Sequence, residues 1–286
     1  MTFAPFTNEF PWPAPAKLNL FLHVTGRRKD GYHELQTLFQ FLDHGDSLFF
    51  VPRGDGKVVR QNILPGIDPE QDLAVRAARL LGKLSGAGLG ADIRIEKHLP
   101  IGGGLGGGSS NAATTLVALN RLWNTGFTTA ELADIGLQLG ADVPVFVRGL
   151  ASWAEGVGER LAPVEMPEPW YLVVVPDVSV STQEIFQAPE LKRDCPRVTL
   201  DDYLAGRTGN VCEPVTAARY PQVKAALDWA RGHGPAQMSG TGASVFLSFT
   251  ERALASAAQK QVPAQWKSFV ARGLNRSPLT GIMRGL

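Results

Sequence analysis

Residues 102–108 contain six glycines in seven positions, and two serines and an asparagine follow directly. Because glycine has no Cβ, such a backbone can turn sharply and leave its N–H groups free to surround an anion. An alternating strand pattern over residues 91–99 leads into this loop, and a helical pattern begins at Ser109. The N-terminus of a helix adds a partial positive charge. The sequence therefore predicts a phosphate-binding loop between a strand and a helix.

The same glycines are compatible with a dinucleotide-binding oxidoreductase. Gly102, Gly104 and Gly107 formally match its G-x-G-x-x-G fingerprint. That fold needs a second strand ending in an acidic residue about 20 positions later. Two successive helices, over residues 109–123 and 128–139, are predicted there instead. The missing strand disfavours the oxidoreductase.

Two further alternatives for the loop are a Walker A motif and a mobile linker. Neither Gly-Lys pair, at residues 56–57 and 82–83, is followed by Ser or Thr in the required glycine frame. Linkers rarely lie between an alternating strand and a capped helix. A phosphate-binding loop remains the favoured interpretation.

Length and composition indicate a soluble protein of two domains. The 286 residues carry 28 basic and 27 acidic side chains, and this balance gives no sign of nucleic-acid binding. Residues 1–13 lack a basic and apolar targeting pattern, and no later segment has about 18 consecutive apolar residues, so we expect no membrane association. Cys195 and Cys212 show neither C-x-x-C spacing nor a secreted disulfide pattern, which favours the cytoplasm.

Hydrophobic periodicity predicts a mixture of strands and helices. Alternation over residues 16–24 predicts a half-buried strand on which Lys17 and Asn19 point the same way. Residues 47–52 and 57–61 are predicted as strands joined by a turn at 53–56. Residues 140–146 break the helical period and are predicted as a loop that enters a strand. The overall pattern is typical of an α+β protein.

Three separated motifs then support one another. They are Pro15-Ala-Lys17-Leu-Asn19-Leu20, the glycine loop, and the glycine and hydroxyl cluster at residues 238–244. Together they resemble the GHMP superfamily of small-molecule kinases. Further motifs at residues 30–35, 139–146 and 155–159 are similar to those of its 4-diphosphocytidyl-2-C-methyl-D-erythritol kinase family. The resemblance extends from about residue 15 to residue 278.

This resemblance implies a mixed α/β, two-domain GHMP kinase fold. An S5-domain-2-like ATP-binding domain would occupy residues 1–162, and a ferredoxin-like domain residues 163–286. The implied reaction is ATP-dependent phosphorylation of the 2-hydroxyl of 4-diphosphocytidyl-2-C-methyl-D-erythritol, in the non-mevalonate isoprenoid pathway, with Mg²⁺ accompanying ATP. We expect a monomer or weak homodimer. A homoserine-type or mevalonate-type kinase and a non-catalytic nucleotide sensor are the alternatives.

The resemblance also implies roles for particular residues. Asp142 would accept or orient the hydroxyl proton, and Lys17 would keep Asp142 ionised and stabilise the transferring phosphoryl group. The protein ligands of Mg²⁺ are left unassigned. The expected substrate-binding residues are Asn19, Tyr32, His33, Phe39, Thr182 and Phe186. The expected ATP-binding residues are Lys97, Pro100, Ile101, Gly102, Gly103, Gly104, Leu105, Gly106, Gly107, Gly108, Ser109, Ser110 and Asn111.

One position departs from the family pattern. The family usually has Asn-Leu before the helix predicted at residues 72–84, whereas this chain has Asp72-Leu73. A carboxylate accepts hydrogen bonds but lacks the amide donor. A contact between Asp72 and adenine is therefore left open.

Overall fold

Two long antiparallel strands at the N-terminus, β1 and β2, organise a sheet that runs through the whole protein. The computed structural model describes residues 10–284. The prediction that residues 1–13 carry no targeting segment falls largely on residues 1–9, which lie outside the described residues. Within the described range the strands are β1 (Trp12–Arg27), β2 (His33–Arg53), β3 (Val58–Arg60), β4 (Gly90–Glu96), β5 (Ser152–Gly156), β6 (Arg160–Pro163), β7 (Trp170–Val175), β8 (Ala236–Met238), β9 (Val245–Phe249) and β10 (Lys267–Leu274).

Helices cover this sheet, and several begin where a side chain satisfies their first free N–H groups. Asp72 accepts a hydrogen bond from Ala74 N at 2.9 Å, and Thr128 forms a capping box with Glu131. Over residues 10–284 the helices are α1 (Leu73–Ser85), α2 (Gly107–Leu122), α3 (Thr129–Leu137), α4 (Val143–Arg148), α5 (Thr182–Gln187), α6 (Leu200–Leu204), α7 (Glu213–Arg219), α8 (Pro221–Arg231), α9 (Arg252–Gln259) and α10 (Pro278–Arg284). In this part of the chain, none of them is long and apolar enough for a membrane span.

The sheet joins the N-terminal and C-terminal halves of the chain. Its strands follow the order β3-β4-β2-β10-β7-β9-β8, while β1 and β5 also pair with β2, and β6 pairs with β5. Strand β10 pairs with β2 through Gly273 and Leu274 and with β7 along most of its length. A hydrophobic cluster that includes Leu18, Leu105 and Val173 fills the space between the halves. The mixed α+β class predicted from the sequence is confirmed.

Three local predictions were wrong. Strand β1 is buried on both faces rather than one, because helices cover part of it and the C-terminal sheet covers the rest. Strand β3 pairs in parallel with β4, which occupies the edge of β2, so residues 53–56 do not close a hairpin. Residues 143–148 form helix α4 and not a strand, since Pro144 lies in the first turn, where a missing N–H costs nothing.

The domain boundary predicted between residues 162 and 163 stays a prediction. Strand β6 runs from Arg160 to Pro163 and pairs with β5 across this point. Strand β7 starts at Trp170, after the proline-rich segment that suggested the boundary. The connection between the halves therefore includes residues 164–169.

Candidate active site

A cavity of about 520 Å³ lies between the two halves. The glycine loop forms one wall, Lys17 and Asn19 of β1 form the floor, and Gly240 and Thr241 approach from the C-terminal half. Every residue of the expected ATP-binding set lines this cavity except Ser110, which is fully buried beneath it. The alternation on β1 correctly predicted that Lys17 and Asn19 share a face.

The glycines of the loop serve two different purposes. A Cβ on Gly104 would lie 2.2 Å from Ser239 O, and one on Gly103 would lie 3.1 Å from Ser244 Oγ. Gly104 is therefore required by close contact with the C-terminal half, whereas a Cβ on Gly103 would first meet Pro100 Cγ, at 2.5 Å. A Cβ on Gly106 would lie 3.1 Å from Lys17 Cε, so this glycine keeps the cavity floor clear.

The end of the loop is also the N-terminus of the 16-residue helix α2. Gly106 is the N-cap residue with a φ of +73°, a conformation that glycine adopts without strain, and no side chain caps the helix. The first N–H groups of α2 therefore remain available beside the cavity, together with the positive end of the helix dipole. This arrangement suits the phosphates of a nucleotide.

Lys17 is the centre of a buried polar network. Its Nζ atom lies 3.3 Å from Asp142 Oδ2, donates to Gly104 O at 3.2 Å, and contacts Asn19 Oδ1. The Lys17 side chain is 4% exposed, whereas that of Asp142 is 34% exposed. The Nζ atom also lies 5.3 Å from the centroid of the Phe39 ring, within range of a cation–π contact. The two expected catalytic groups are thus in direct contact.

Asn19 is held in one orientation by its surroundings. Its amide donates to Thr37 Oγ1 at 2.9 Å, which leaves its oxygen to accept from Lys17. Its backbone N–H donates to Ser239 Oγ at 3.1 Å. A residue whose amide is fixed in this way positions the ammonium of Lys17 toward Asp142.

The expected nucleotide residue Lys97 forms an ion pair. Its Nζ atom lies 2.5 Å from Asp46 Oδ2, and this carboxylate is fully buried. Asp46 also accepts hydrogen bonds from the backbone N–H groups of His98 and Leu99, each at 2.8 Å. A Cβ on Gly107 would lie 2.9 Å from Lys97 Nζ. Lys97 therefore lies against the first turn of α2.

Asp72 faces the cavity from the start of α1, and its carboxylate is already engaged. It forms a buried ion pair with Arg60 Nη1 at 2.7 Å and also caps α1. Each carboxylate oxygen has a second lone-pair direction, so Asp72 can still accept a hydrogen bond from a ligand.

The expected base-binding residues form a separate group. The rings of His33 and Phe186 stack with centroids 5.3 Å apart at an interplanar angle of 24°. Phe186 and Thr182 line the cavity, and the Thr182 hydroxyl lies 3.1 Å from that of Thr241. His33 and Tyr32 lie outside the cavity lining, and Tyr32 is 64% exposed.

Three residues of this region were not predicted from the sequence. Ser239 donates to Gly104 O at 2.9 Å, and Thr241 lines the cavity. Both belong to the glycine and hydroxyl cluster at residues 238–244, so the sequence contained a motif from which they could have been predicted. Arg193 donates to His33 Nε2 at 3.0 Å, and no motif around residue 193 indicated this contact.

Comparison with known proteins identifies the family of this chain. The model of the GHMP kinases N terminal domain matches residues 72–150, and that of the GHMP kinases C terminal matches residues 198–268. A 4-diphosphocytidyl-2-C-methyl-D-erythritol kinase from Nitrosococcus oceani is 58% identical over 94% of this chain and 96% of its own. A relative of the same name from Alkalilimnicola ehrlichii is 58% identical over 96% of this chain and 94% of its own.

The chain belongs to the 4-diphosphocytidyl-2-C-methyl-D-erythritol kinase family. A crystal structure of a family member, titled 4-(cytidine 5'-diphospho)-2C-methyl-D-erythritol kinase, is 33% identical with a TM-score of 0.80 and covers 92% of this chain and 98% of its own. A homoserine kinase from Cytophaga hutchinsonii is 16% identical with a TM-score of 0.65, covers 97% of this chain and 98% of its own, and shows the shared fold alone. Membership confirms the two-domain GHMP kinase fold and an ATP-dependent phosphotransferase.

Proposed function

We propose that this protein transfers the γ-phosphoryl group of ATP to the 2-hydroxyl of 4-diphosphocytidyl-2-C-methyl-D-erythritol, giving the 2-phosphate and ADP. The observation that carries the proposal is the contact of Lys17 with Asp142 beside the glycine loop. Membership in the family supports the choice of substrate over homoserine or mevalonate. The product belongs to the non-mevalonate route to isoprenoid precursors.

The chemistry follows from the charges around this contact. The Asp142 carboxylate, one-third exposed to the cavity, accepts the proton of the substrate hydroxyl as its oxygen attacks the γ-phosphorus. The Lys17 ammonium, 3.3 Å from Asp142 Oδ2, stabilises negative charge on the transferring group. The glycine loop and the N-terminus of α2 hold the phosphates. The fixed amide of Asn19 keeps Lys17 in place throughout.

Mg²⁺ is the proposed companion of ATP. Magnesium in kinases is held by substrate phosphates and one or two protein oxygens, and it neutralises charge on the phosphates. Over residues 10–284, no cluster of three or more potential ligands among His, Cys, Asp and Glu could hold a metal by itself. Two oxygens at the start of α2, Ser110 Oγ and Asn111 Oδ1, are buried without a hydrogen-bond partner. These orphaned oxygens fit a site completed by a nucleotide and its metal.

The substrate would extend from the catalytic pair toward His33 and Phe186. Aromatic rings stack on any nucleobase, and an imidazole can hydrogen-bond to its edge. The exposed Tyr32 is available to cover the other side of the base. Phe39, Asn19 and Thr182 would contact the methylerythritol and diphosphate.

The remaining proposals concern the cellular location, the oligomeric state and the domain boundary of the protein. We place it in the cytoplasm, where the two buried free cysteines, Cys195 and Cys212, would stay reduced. We propose a monomer or weak homodimer and a division of the chain near residue 162.

Phosphorus NMR tests the function directly. The protein is incubated with ATP, Mg²⁺ and 4-diphosphocytidyl-2-C-methyl-D-erythritol, and a new phosphomonoester resonance is expected. The Asp142→Asn variant is the control for a contaminating kinase, and homoserine and mevalonate are the competing acceptors. If homoserine or mevalonate were phosphorylated as well as the cytidine-bearing substrate, the proposed choice of substrate would be wrong. Absence of any phosphomonoester would reject the proposal.

A further inference from the structure

The guanidinium of Arg193 connects the two rings of the proposed base site. Its Nε atom donates to His33 Nε2 at 3.0 Å, and Nη2 donates to Phe186 O at 2.9 Å. Nη2 also donates to Ala188 O at 2.6 Å, and Nη1 donates to Leu191 O at 2.9 Å. Four of the five N–H groups of an arginine are thereby used. Arg193 is fixed by backbone carbonyls and cannot turn away from His33.

This contact determines where the proton of His33 lies. A guanidinium is always protonated and only donates, so His33 Nε2 must be a bare acceptor. A neutral imidazole with a bare Nε2 carries its proton on Nδ1. No hydrogen bond joins Nδ1 to any other group in the described part of the chain. His33 therefore offers one free N–H donor.

The surroundings also keep this imidazole neutral. Partial burial lowers the pKa of His33, and the positive charges of Arg193 and Arg27 lower it further. A second proton on the ring would need a site on Nε2, where the Arg193 N–H already points. The neutral Nδ1–H form is thus favoured by both hydrogen bonding and charge.

Stacking alone cannot tell one pyrimidine from another, because every base has a π-face. The edges of the two pyrimidines differ at N3, which is a bare acceptor in cytosine and an N–H donor in uracil. A fixed donor pairs with cytosine N3 and opposes the N–H of uracil. A side chain that could present either a donor or an acceptor would pair with both bases and would not distinguish cytosine from uracil.

We propose that Arg193, by fixing the proton of His33 on Nδ1, makes the protein select cytidine over uridine in its substrate. The inference rests on the proposed function, which brings a cytidine to this site. Arg193 acts as a positioning residue, since its contacts reach His33 and backbone carbonyls. Selection arises because the N–H of uracil and the N–H of His33 would meet as two donors, so both would lose a hydrogen bond.

The first test observes the tautomer without substrate. The protein has five histidines, so ¹⁵N–¹H correlation spectra of the imidazoles can be assigned by comparison with His33→Asn. Wild type should show the proton of His33 on Nδ1. In Arg193→Met the spectrum should change to a mixture of tautomers. A wild-type proton on Nε2 would overturn the inference.

The second test compares the cytidine substrate with the analogue that carries uridine. Wild type should prefer cytidine in kcat/KM by about 10- to 100-fold, the range expected for one mismatched hydrogen bond. Arg193→Met should lose most of this preference, and its activity toward the uridine analogue should increase. A residue with a purely structural role would lower both activities together. The KM for ATP should not change.

Controls separate this effect from misfolding. Arg197→Met removes the same charge from the same segment, but Arg197 pairs with Glu155 and is 56% exposed. This control should keep the wild-type preference. If Arg193→Met does not fold, His33→Asn replaces it, because a side-chain amide can rotate to donate or accept and should also lose the preference.

The outcomes distinguish the two proposals. An unchanged preference in Arg193→Met, or in His33→Asn where that variant is used, overturns the role of Arg193. Equal use of both pyrimidines by wild type overturns the inference and leaves the kinase function intact. Phosphorylation of neither substrate rejects the proposed function, and the inference fails with it.

Discussion

Replacing Lys17 by Met should remove most of the activity while the protein stays folded. Methionine keeps the length and apolar contacts of the lysine stem but removes the charge. Unit charges at the 3.3 Å separation of Lys17 Nζ and Asp142 Oδ2 attract by roughly 5 kcal/mol at an effective dielectric constant of about 20. Solvent around the exposed part of Asp142 reduces this value. Loss of one such group from a reaction centre typically costs about 3–4 kcal/mol, so kcat should fall roughly 100- to 1000-fold.

The stability of this variant should differ from that of Lys97→Met. After Lys17→Met, water can solvate Asp142, which is 34% exposed. After Lys97→Met, the fully buried carboxylate of Asp46 would keep only its backbone donors. Leaving a buried charge without its partner costs about 3 kcal/mol or more. The larger decrease in kcat is therefore expected in Lys17→Met, and the larger decrease in the free energy of unfolding is expected in Lys97→Met.

The assay measures kcat at saturating substrates, ATP affinity by calorimetry and the free energy of unfolding in urea. The reasoning would be refuted if Lys17→Met kept kcat within about threefold of wild type. It would also be refuted if Lys17→Met lost more unfolding free energy than Lys97→Met.

The remaining predictions concern the catalytic base, the loop and the base site. Asp142→Asn should lower kcat about 100- to 10,000-fold with little change in ATP affinity, and near-normal turnover would exclude Asp142 as the base. Gly107→Val should abolish ATP binding, whereas a Cβ on Gly108 would meet its nearest neighbour at 3.5 Å, so Gly108→Ala is the matched control in calorimetry. His33→Ala should raise the KM for the cytidine substrate about 5- to 150-fold and leave that for ATP unchanged, and parallel increases would contradict a role at the base.

The sequence predicted those parts of the site that depend on local periodicity. Alternation on β1 was sufficient to place Lys17 and Asn19 on one face, and glycine content was sufficient to place the loop before α2. The fold class followed from the order of helices and strands. These features are decided within a few residues of one another, so they can be deduced without tertiary structure.

Contacts between distant segments could not be deduced in this way. Arg193 lies 160 positions from His33, and Asp46 lies 51 positions from Lys97. Nothing in the sequence around Asp46 indicates that it is fully buried in an ion pair. Residues 140–146 were predicted as a loop that enters a strand because they break the helical period, although Pro144 is well tolerated in the first turn of helix α4.

The contacts between the glycine loop and the C-terminal half limit how this chain can be recombined with a relative. Ser239 donates to Gly104 O from 135 positions away, and Ser244 N donates to Gly103 O at 3.1 Å. A chimera that takes its first half from one relative and its second half from another would pair two surfaces that were selected in different proteins. Residues 102–108 and 238–244 should therefore be exchanged together in any such chimera. Exchange of both segments together should preserve the shape of the loop where exchange of either one does not.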